Sequence, residues 1–283
     1  MVTGTLKYMG RNPTLIVGIV LMLALLLFCA VGPFFVNTAN SEPLSVEASV
    51  PPSAQYPLGT DRQGRDILAV MVAGTPLTLR IGFIAGLIGV GVGTLLGFAS
   101  AYYGGAVDTI IKGVVDIGLT IPGLLVLVII AVSLHEGLNV NQMAFIVAVL
   151  AWLWPTRTIR SQVLTLRERA WVQVARLSGT SGMGIIVKEL IPNLLPYLAA
   201  SLVGAVASAV LASIGLEALG LGPIDSPTLG MTIYWTIYYS ALLHGMWWWW
   251  GPPIVVIVVL FVGLFNLSVG LDEIANPRLR RRA

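Results

Sequence analysis

The chain has 283 residues, of which 57% are hydrophobic and 10% charged, and its mean hydropathy is +0.89. Soluble domains carry about 25% charged residues, so this composition excludes one and points to a chain that crosses a membrane repeatedly. A net charge of +3 does not signal nucleic acid, because the cations flank apolar runs; the one cysteine, Cys29, lies inside such a run and gives no disulfide framework.

About 20 apolar residues cross a ~30 Å hydrocarbon core, so charge-free runs locate the spans. The first is Pro13 to Val36, too long for a signal-peptide core and therefore an uncleaved helix. From Asn37 to Gly74 an extended, proline-containing loop is expected, with Thr60 or Asp61 capping an interfacial helix whose apolar face is Ile67, Leu68, Met71 and Val72. Asp61 or Asp66 should pair there with Arg62 or Arg65. The second span, Ile81 to Tyr103, carries Gly82, Gly86, Gly89, Gly93 and Gly97, a face that admits close approach by another helix and serves internal packing. Tyr102-Tyr-Gly-Gly105 reads as a tight turn into the third span, Ile117 to Leu134.

Asp108 and Asp116 precede that span, where a carboxylate caps a helix N-terminus or pairs with Lys112, and Pro122-Gly123 should kink it. The fourth span is Met143 to Thr158, the fifth Leu190 to Ile214 and the sixth Pro252 to Val269. Between the last two, Met231 to Leu243 is too short to cross and is expected as a short helix at the outer interface. Trp247 to Trp250 at the outer end of span six fit an interfacial belt or a stacking surface for a sugar or aromatic side chain. His135 and His244 lie far apart with no ligand cluster at metal spacing.

Six spans with both termini cytoplasmic place Lys7, Arg11, Lys112, Arg157, Arg160, Arg167, Arg169, Arg176, Lys188, Arg278, Arg280, Arg281 and Arg282 inside. Only Arg62, Arg65 and Arg80 fall outside, a firm orientation by the excess of cations in cytoplasmic loops. A seventh span would put the C-terminal arginines outside and is rejected on that ground. No Gly-x-x-x-x-Gly-Lys-Ser/Thr occurs, so the chain binds no nucleotide through a phosphate loop.

The most specific segment is polar and arginine-rich and separates spans four and five. Trp171 to Gly179, a Ser-Gly-Thr-Ser-Gly turn, a second apolar-periodic stretch and Pro192 read as two short helices at the cytoplasmic mouth. The frame Gln173-Val174-Ala175, three residues, Gly179, nine residues, Glu189-Leu190-Ile191-Pro192 resembles the ATPase-docking loop of ABC-importer permeases, Glu-Ala-Ala, three residues, Gly, nine residues, Ile-x-Leu-Pro. Pro57-Leu-Gly-Thr-Asp-Arg-Gln-Gly-Arg-Asp66, Ala101-Tyr-Tyr-Gly-Gly-Ala-Val-Asp108, Ile121-Pro-Gly123, Leu219-Gly-Leu-Gly222 and Asn276-Pro-Arg-Leu-Arg280 extend the resemblance to the dipeptide/oligopeptide/nickel-type permeases, the shorter of the pair. The chain departs from that pattern at Gln173-Val174, at Leu216-Glu-Ala-Leu219, at Thr228-Leu-Gly230, and in the aromatic run from Tyr234 to Tyr239 followed by the tryptophans.

The resemblance implies an all-α membrane protein with the six helices of the type I importer permease fold. Residues 1–76 would form the tail, first helix and outer loop, and 77–283 the permease core, with a coupling loop at about 159–190. It implies a second homologous permease, two ATPase subunits that hold ATP and Mg, an extracytoplasmic solute-binding protein, the lipid bilayer, and no cofactor, metal or nucleic acid on this chain. Arg169, Gln173, Val174, Ala175, Arg176, Gly179 and Pro192 would couple to the ATPase, with Gly179 turning where a side chain would collide with a neighbour. Glu217, Tyr234, Trp248 and Trp249 would lie on the substrate path, and the aromatic outer segment makes an oligosaccharide the alternative to a peptide. An ion-coupled secondary transporter would need mid-span acids, which spans four to six lack.

Overall fold

A computed structural model describes residues 12–134 and 137–275. Lys7, Arg11, His135, the Asn276–Arg280 motif and the C-terminal arginines lie outside the described residues. Helix α1 is Pro13–Phe35, capped by the Asn12 side chain, which accepts from the Leu15 amide at 3.1 Å. Helix α2, Ile67–Tyr103, is followed by α3, Gly105–Thr120, and α4, Gly123–Ser133. Then come α5, Val140–Ala151, α6, Leu153–Arg167, and the short α7, Ala170–Leu177. The long α8, Gly182–Ala218, contains a wide turn of π geometry at Ile186–Leu190; α9 is Leu229–Tyr238 and α10 Trp247–Ala275. Among the described residues, helices α1, α2, α8 and α10 are each long and apolar enough to cross a bilayer, and the bent pairs α3–α4 and α5–α6, each taken as one span, bring the number to six.

The trunk of the fold is α2, whose glycines are notches. A Cβ on Gly82 would stand 2.3 Å from Val210 of α8, and one on Gly89 would stand 2.6 Å from the Ala151 carbonyl. Gly93 and Gly97 meet Pro155, Thr156 and Arg160 of α6 in the same way. The expected close-packing face therefore exists and serves two neighbours, α8 from Gly82 and Gly86, and the α5–α6 arm from Gly89 onward. Helices α1 and α10 pair alongside through Gly18 on the Leu267 backbone and Gly270 on Leu15.

The structure corrects the sequence expectation before span two. The expected interfacial helix and the span are one 37-residue helix, which runs unbroken past residues 76 and 77 despite Pro76. Its cap is Asp66, which accepts from the Leu68 amide at 2.9 Å, and not Thr60 or Asp61. Asp61 is occupied: its carboxylate accepts from the Gln63 and Arg65 amides and from Arg65 Nε at 2.6 Å, both side chains being buried. Burial pushes the Asp61 carboxyl up, and the Arg65 guanidinium pulls against it. The pairing itself, Asp61 with Arg65, was one of those expected.

Pro122-Gly123 does more than kink span three: α3 and α4 meet at 85°. The fourth span also breaks, by 43° at Trp152, which the sequence reading left straight. Pro155 explains it, because proline has no N–H to offer the Ala151 carbonyl one turn earlier.

Candidate functional site

Two regions carry functional geometry, and both hang on the same helices. The first is the loop after α6. Helix α7 ends in a Schellman arrangement: the Gly179 amide donates to the Arg176 carbonyl at 3.1 Å and the Thr180 amide to the Ala175 carbonyl at 3.1 Å. That closure requires a left-handed residue, and Gly179 has φ +79°. The space around it is empty, with nothing among the described residues within 4 Å of where a Cβ would stand. The expected collision with a neighbour is thus absent within the chain, and the backbone angle alone demands glycine.

Past the turn, Ser181 caps the next helix by accepting from the Gly184 amide at 3.2 Å. The expected second short helix is only its first turn; the chain continues through the π segment and Pro192 directly into α8. Val174, Leu177, Met183 and Val187 are exposed along this joint, while Val172, Ile185, Ile186 and Leu190 pack against Phe98 of α2 and Ile159 and Val163 of α6. Ala175 is half-buried, Gln173 Nε2 reaches back to the Arg167 carbonyl at 3.4 Å, and Arg169 and Arg176 make no ion pair among the described residues. The loop thus presents an apolar ridge flanked by cations without ion-pair partners among the described residues.

The second region is a groove of about 750 Å³ between α4, α5, α6, α8 and α10. One wall is a stripe of small and hydroxyl residues on α8, Ser201, Gly204, Ala205, Ser208, Ala212 and Gly215. Trp154, Pro155 and Thr158 of α6, Gly123, Leu124 and Leu127 of α4, and Ser268 with Asp272 of α10 complete it. Sequence reasoning missed this groove. Its signal was present, since small residues recur on α8 at the same three- and four-residue spacing that drew notice in span two.

None of the four residues expected on a substrate path lines this groove. Glu217 is fully buried at the end of α8, where its carboxylate accepts from Thr228 Oγ1 at 2.6 Å and from the Met231 amide at 3.0 Å. It anchors the N-terminus of α9, and Gly222 and Gly230 leave the room it fills. Trp249 is fully buried against Ile67, Met71 and Leu229, and its ring lies 5.8 Å from that of Tyr239. Trp248 packs on Gly59 and donates through Nε1 to the Thr60 carbonyl at 3.2 Å. Tyr234 covers Gly220 and joins Trp235 and Tyr238 in one aromatic cluster. These rings fasten α9 and the loop between α1 and α2 to the helix ends. In this conformation Trp249 has no face free to stack on a ligand, because tryptophan at a helix end fills a core as readily as it sits in a lipid interface.

A further contact was unforeseen. Asp108 pairs with Arg160 and not with Lys112: Arg160 Nε and Nη2 grip the two carboxylate oxygens at 2.5 and 2.6 Å, and Ser100 Oγ also donates to Asp108. Arg160 lies fifty-two positions downstream, beyond any local pattern.

Six apolar spans, a jointed polar loop at one end of the bundle and a groove walled by the helices that carry that loop define a multi-pass membrane permease. Residues 89–281 match the family described as binding-protein-dependent transport system inner membrane component, and the chain belongs to that family of ABC-transporter permeases. It is similar to the dipeptide transport system permease protein DppC of Bacillus subtilis, 28% identical over 275 residues that cover 97% of this chain and 85% of the relative. It is also similar to the oligopeptide transport system permease protein OppC of Mycobacterium bovis, 32% identical over 181 residues covering 64% of this chain and 62% of that one. The DppC of Alkalihalophilus pseudofirmus is 31% identical over 217 residues, 76% of this chain and 70% of the relative.

Proposed function

We propose that this chain is one of two permease subunits of an ATP-driven importer that passes di- and oligopeptides into the cytoplasm by alternating access. The observation that carries the proposal is the attachment of the loop. It leaves α6, whose Trp154, Pro155 and Thr158 wall the groove, and it enters α8, whose small-residue stripe forms the opposite wall. A displacement of the loop therefore moves both walls. Of two ATPase subunits at that face, one binding the exposed Val174–Leu177 ridge and the Arg169 and Arg176 cations would supply that displacement, with Ala175, Gly179 and Pro192 shaping the joint. A second permease would complete the pathway, and a solute-binding protein would deliver substrate at the other end.

The loop end is read as cytoplasmic because cations gather there, Arg157, Arg160, Arg167, Arg169, Arg176 and Lys188 among them. Peptides are preferred to oligosaccharides for two reasons. The relatives are named for dipeptides and oligopeptides, and Trp248 and Trp249 are spent on packing instead of offering a stacking surface.

The test is transport into proteoliposomes holding the complete complex with its solute-binding protein, ATP enclosed on the ATPase side. Labelled dipeptide and tripeptide should accumulate only with ATP. Accumulation of cellobiose instead would replace the substrate class, and uptake driven by a proton or sodium gradient without ATP would overturn the importer reading altogether.

A further inference from the structure

The geometry points to Asp108 and Arg160 as a pin that makes the broken span α3–α4 follow α6, so that movement of the cytoplasmic loop reaches a third wall of the groove. This inference rests on the importer reading above, but concerns residues that neither the docking loop nor the groove lining contains.

Helix α3 is attached to the trunk in few ways. Its covalent link to α2 is the Gly104–Gly105 turn, with φ of +66° and +54° and nothing within 4 Å of either missing Cβ. No side chain wedges that turn, and two adjacent glycines leave it free to pivot. Along one side of α3, Ile110, Val114 and Ile117 face outward, 66%, 52% and 65% exposed. On the other side α3 faces α6, with Val115 buried partway along it. At the far end Gly118 rests on the Leu153 side chain, an apolar contact that permits sliding. At the near end stands the Asp108–Arg160 fork, with Arg160 Nε shared with Ser100 Oγ at 3.1 Å.

Helix α6, by contrast, cannot slip on α2. Its Pro155 and Thr156 fill the Gly93 and Gly97 notches, and Arg167 Nη1 donates to the Ala101 carbonyl at 2.6 Å. Arg160 and Arg167 are seven residues apart, two turns along one face of α6, so both arginines reach toward the same end of α2. The result is a rigid pair, α2 with α6, carrying a hinged arm, α3. Past the 85° break that arm becomes α4, whose Gly123, Leu124 and Leu127 face the groove.

A bidentate guanidinium–carboxylate pair fixes orientation as well as distance, which a lysine ammonium does not. Asp108 and Arg160 are each about one-quarter exposed, enough to keep them wet and not enough to let them drift apart freely. Lys112 and Asp116 share the hollow beside the pair without bonding to either partner. Without the fork, α3 keeps the Ser100 Oγ–Asp108 hydrogen bond beside the hinge and the apolar contacts of Val115 and Gly118, none of which fixes its orientation against α6. The ATPase would still cycle, since its docking surface is intact, but α4 would no longer follow.

The experiment compares ATP hydrolysis and substrate uptake in the full reconstituted complex with loaded solute-binding protein, in a Cys29→Ser background. Asp108→Asn and Arg160→Lys should assemble and retain stimulated hydrolysis while uptake per ATP falls roughly fivefold or more, the low end of coupling between sites. Arg160→Lys is the sharper variant, because it keeps the charge and removes only the fork. In the double variant Asp108→Cys with Arg160→Cys, uptake per ATP should be low until a short bismaleimide joins the two thiols, and should then recover. If both single variants keep the unmodified ratio, or if the cross-link restores nothing, the pin is refuted. If the unmodified complex takes up substrate without ATP, the importer reading falls and the pin with it; a coupled unmodified complex with unaffected variants overturns the pin alone.

Discussion

Gly179 allows the proposed coupling joint to be tested quantitatively, because the structure separates the two reasons a glycine can be required. Its φ is +79°, and the volume around the missing Cβ is empty in this chain. A residue with a Cβ in that conformation costs about 1–2 kcal/mol, or a factor of roughly 5–30 in the population of the closed turn. Asparagine tolerates the left-handed region better than alanine, and a β-branched valine tolerates it worst. The expected order of substrate-stimulated ATP hydrolysis and uptake is therefore Gly179, then Gly179→Asn, Gly179→Ala and Gly179→Val, the two activities falling together. Assembly, followed by gel filtration of the complex, should not change along the series, since the turn supports no trunk contact. If asparagine proves as harmful as valine, a docked partner collides with any side chain at 179 and the backbone argument is wrong. If valine is harmless, the joint is not the coupling element.

Other predictions follow from contacts outside that joint. Ser208 lies midway along the small-residue wall of α8, so Ser208→Trp should block uptake while leaving assembly intact; normal uptake would remove the groove from the pathway. Ser240 holds φ +52° at the left-handed position closing α9, where its amide donates to the Ile237 carbonyl and the Ala241 amide to the Thr236 carbonyl. Ser240→Gly relieves that strain and should stabilise the complex by about 1 kcal/mol, read as a raised melting temperature. For topology, Ser45→Cys should react with a membrane-impermeant maleimide in intact cells and Ser178→Cys only after permeabilisation; the reverse pattern would invert the chain.

Features written in the local backbone were legible in the sequence. Pro122-Gly123 announced the break, Gly104-Gly105 the turn, and the Gly82–Gly97 series a close-packed face, because proline and glycine act on their own residue or one turn away. Features that depend on a distant partner were not. Asp108 is drawn to Arg160 instead of nearby Lys112 only because α6 lies in the notches of α2. Trp249 carries the composition of an interface residue, and its burial follows from α2 and α9 closing over it. The 43° bend at Trp152 is written locally in Pro155, and the groove in the small residues of α8.

The arrangement of rigid and yielding contacts limits how such a permease could move. The notches of α2 place carbonyls and side chains of α6 and α8 within 3.1 Å of where any Cβ would stand, so neither helix can slide past α2 without lifting out of register. On the proposed mechanism, force entering at α7 therefore tilts α2, α6 and α8 together. The packing or the hydrogen-bond ladder is interrupted at Trp152, at the 85° corner before Gly123 and at the empty-sided turn Gly104-Gly105, and the Asp108–Arg160 pair holds that last turn so that α4 follows α6 through the corner. All three border the groove or the arm that lines it. The glycines of α2 and the breaks in spans three and four are thus two halves of one requirement. A trunk that cannot slip can drive a wall through a hinge, and a trunk that could slip would absorb the stroke.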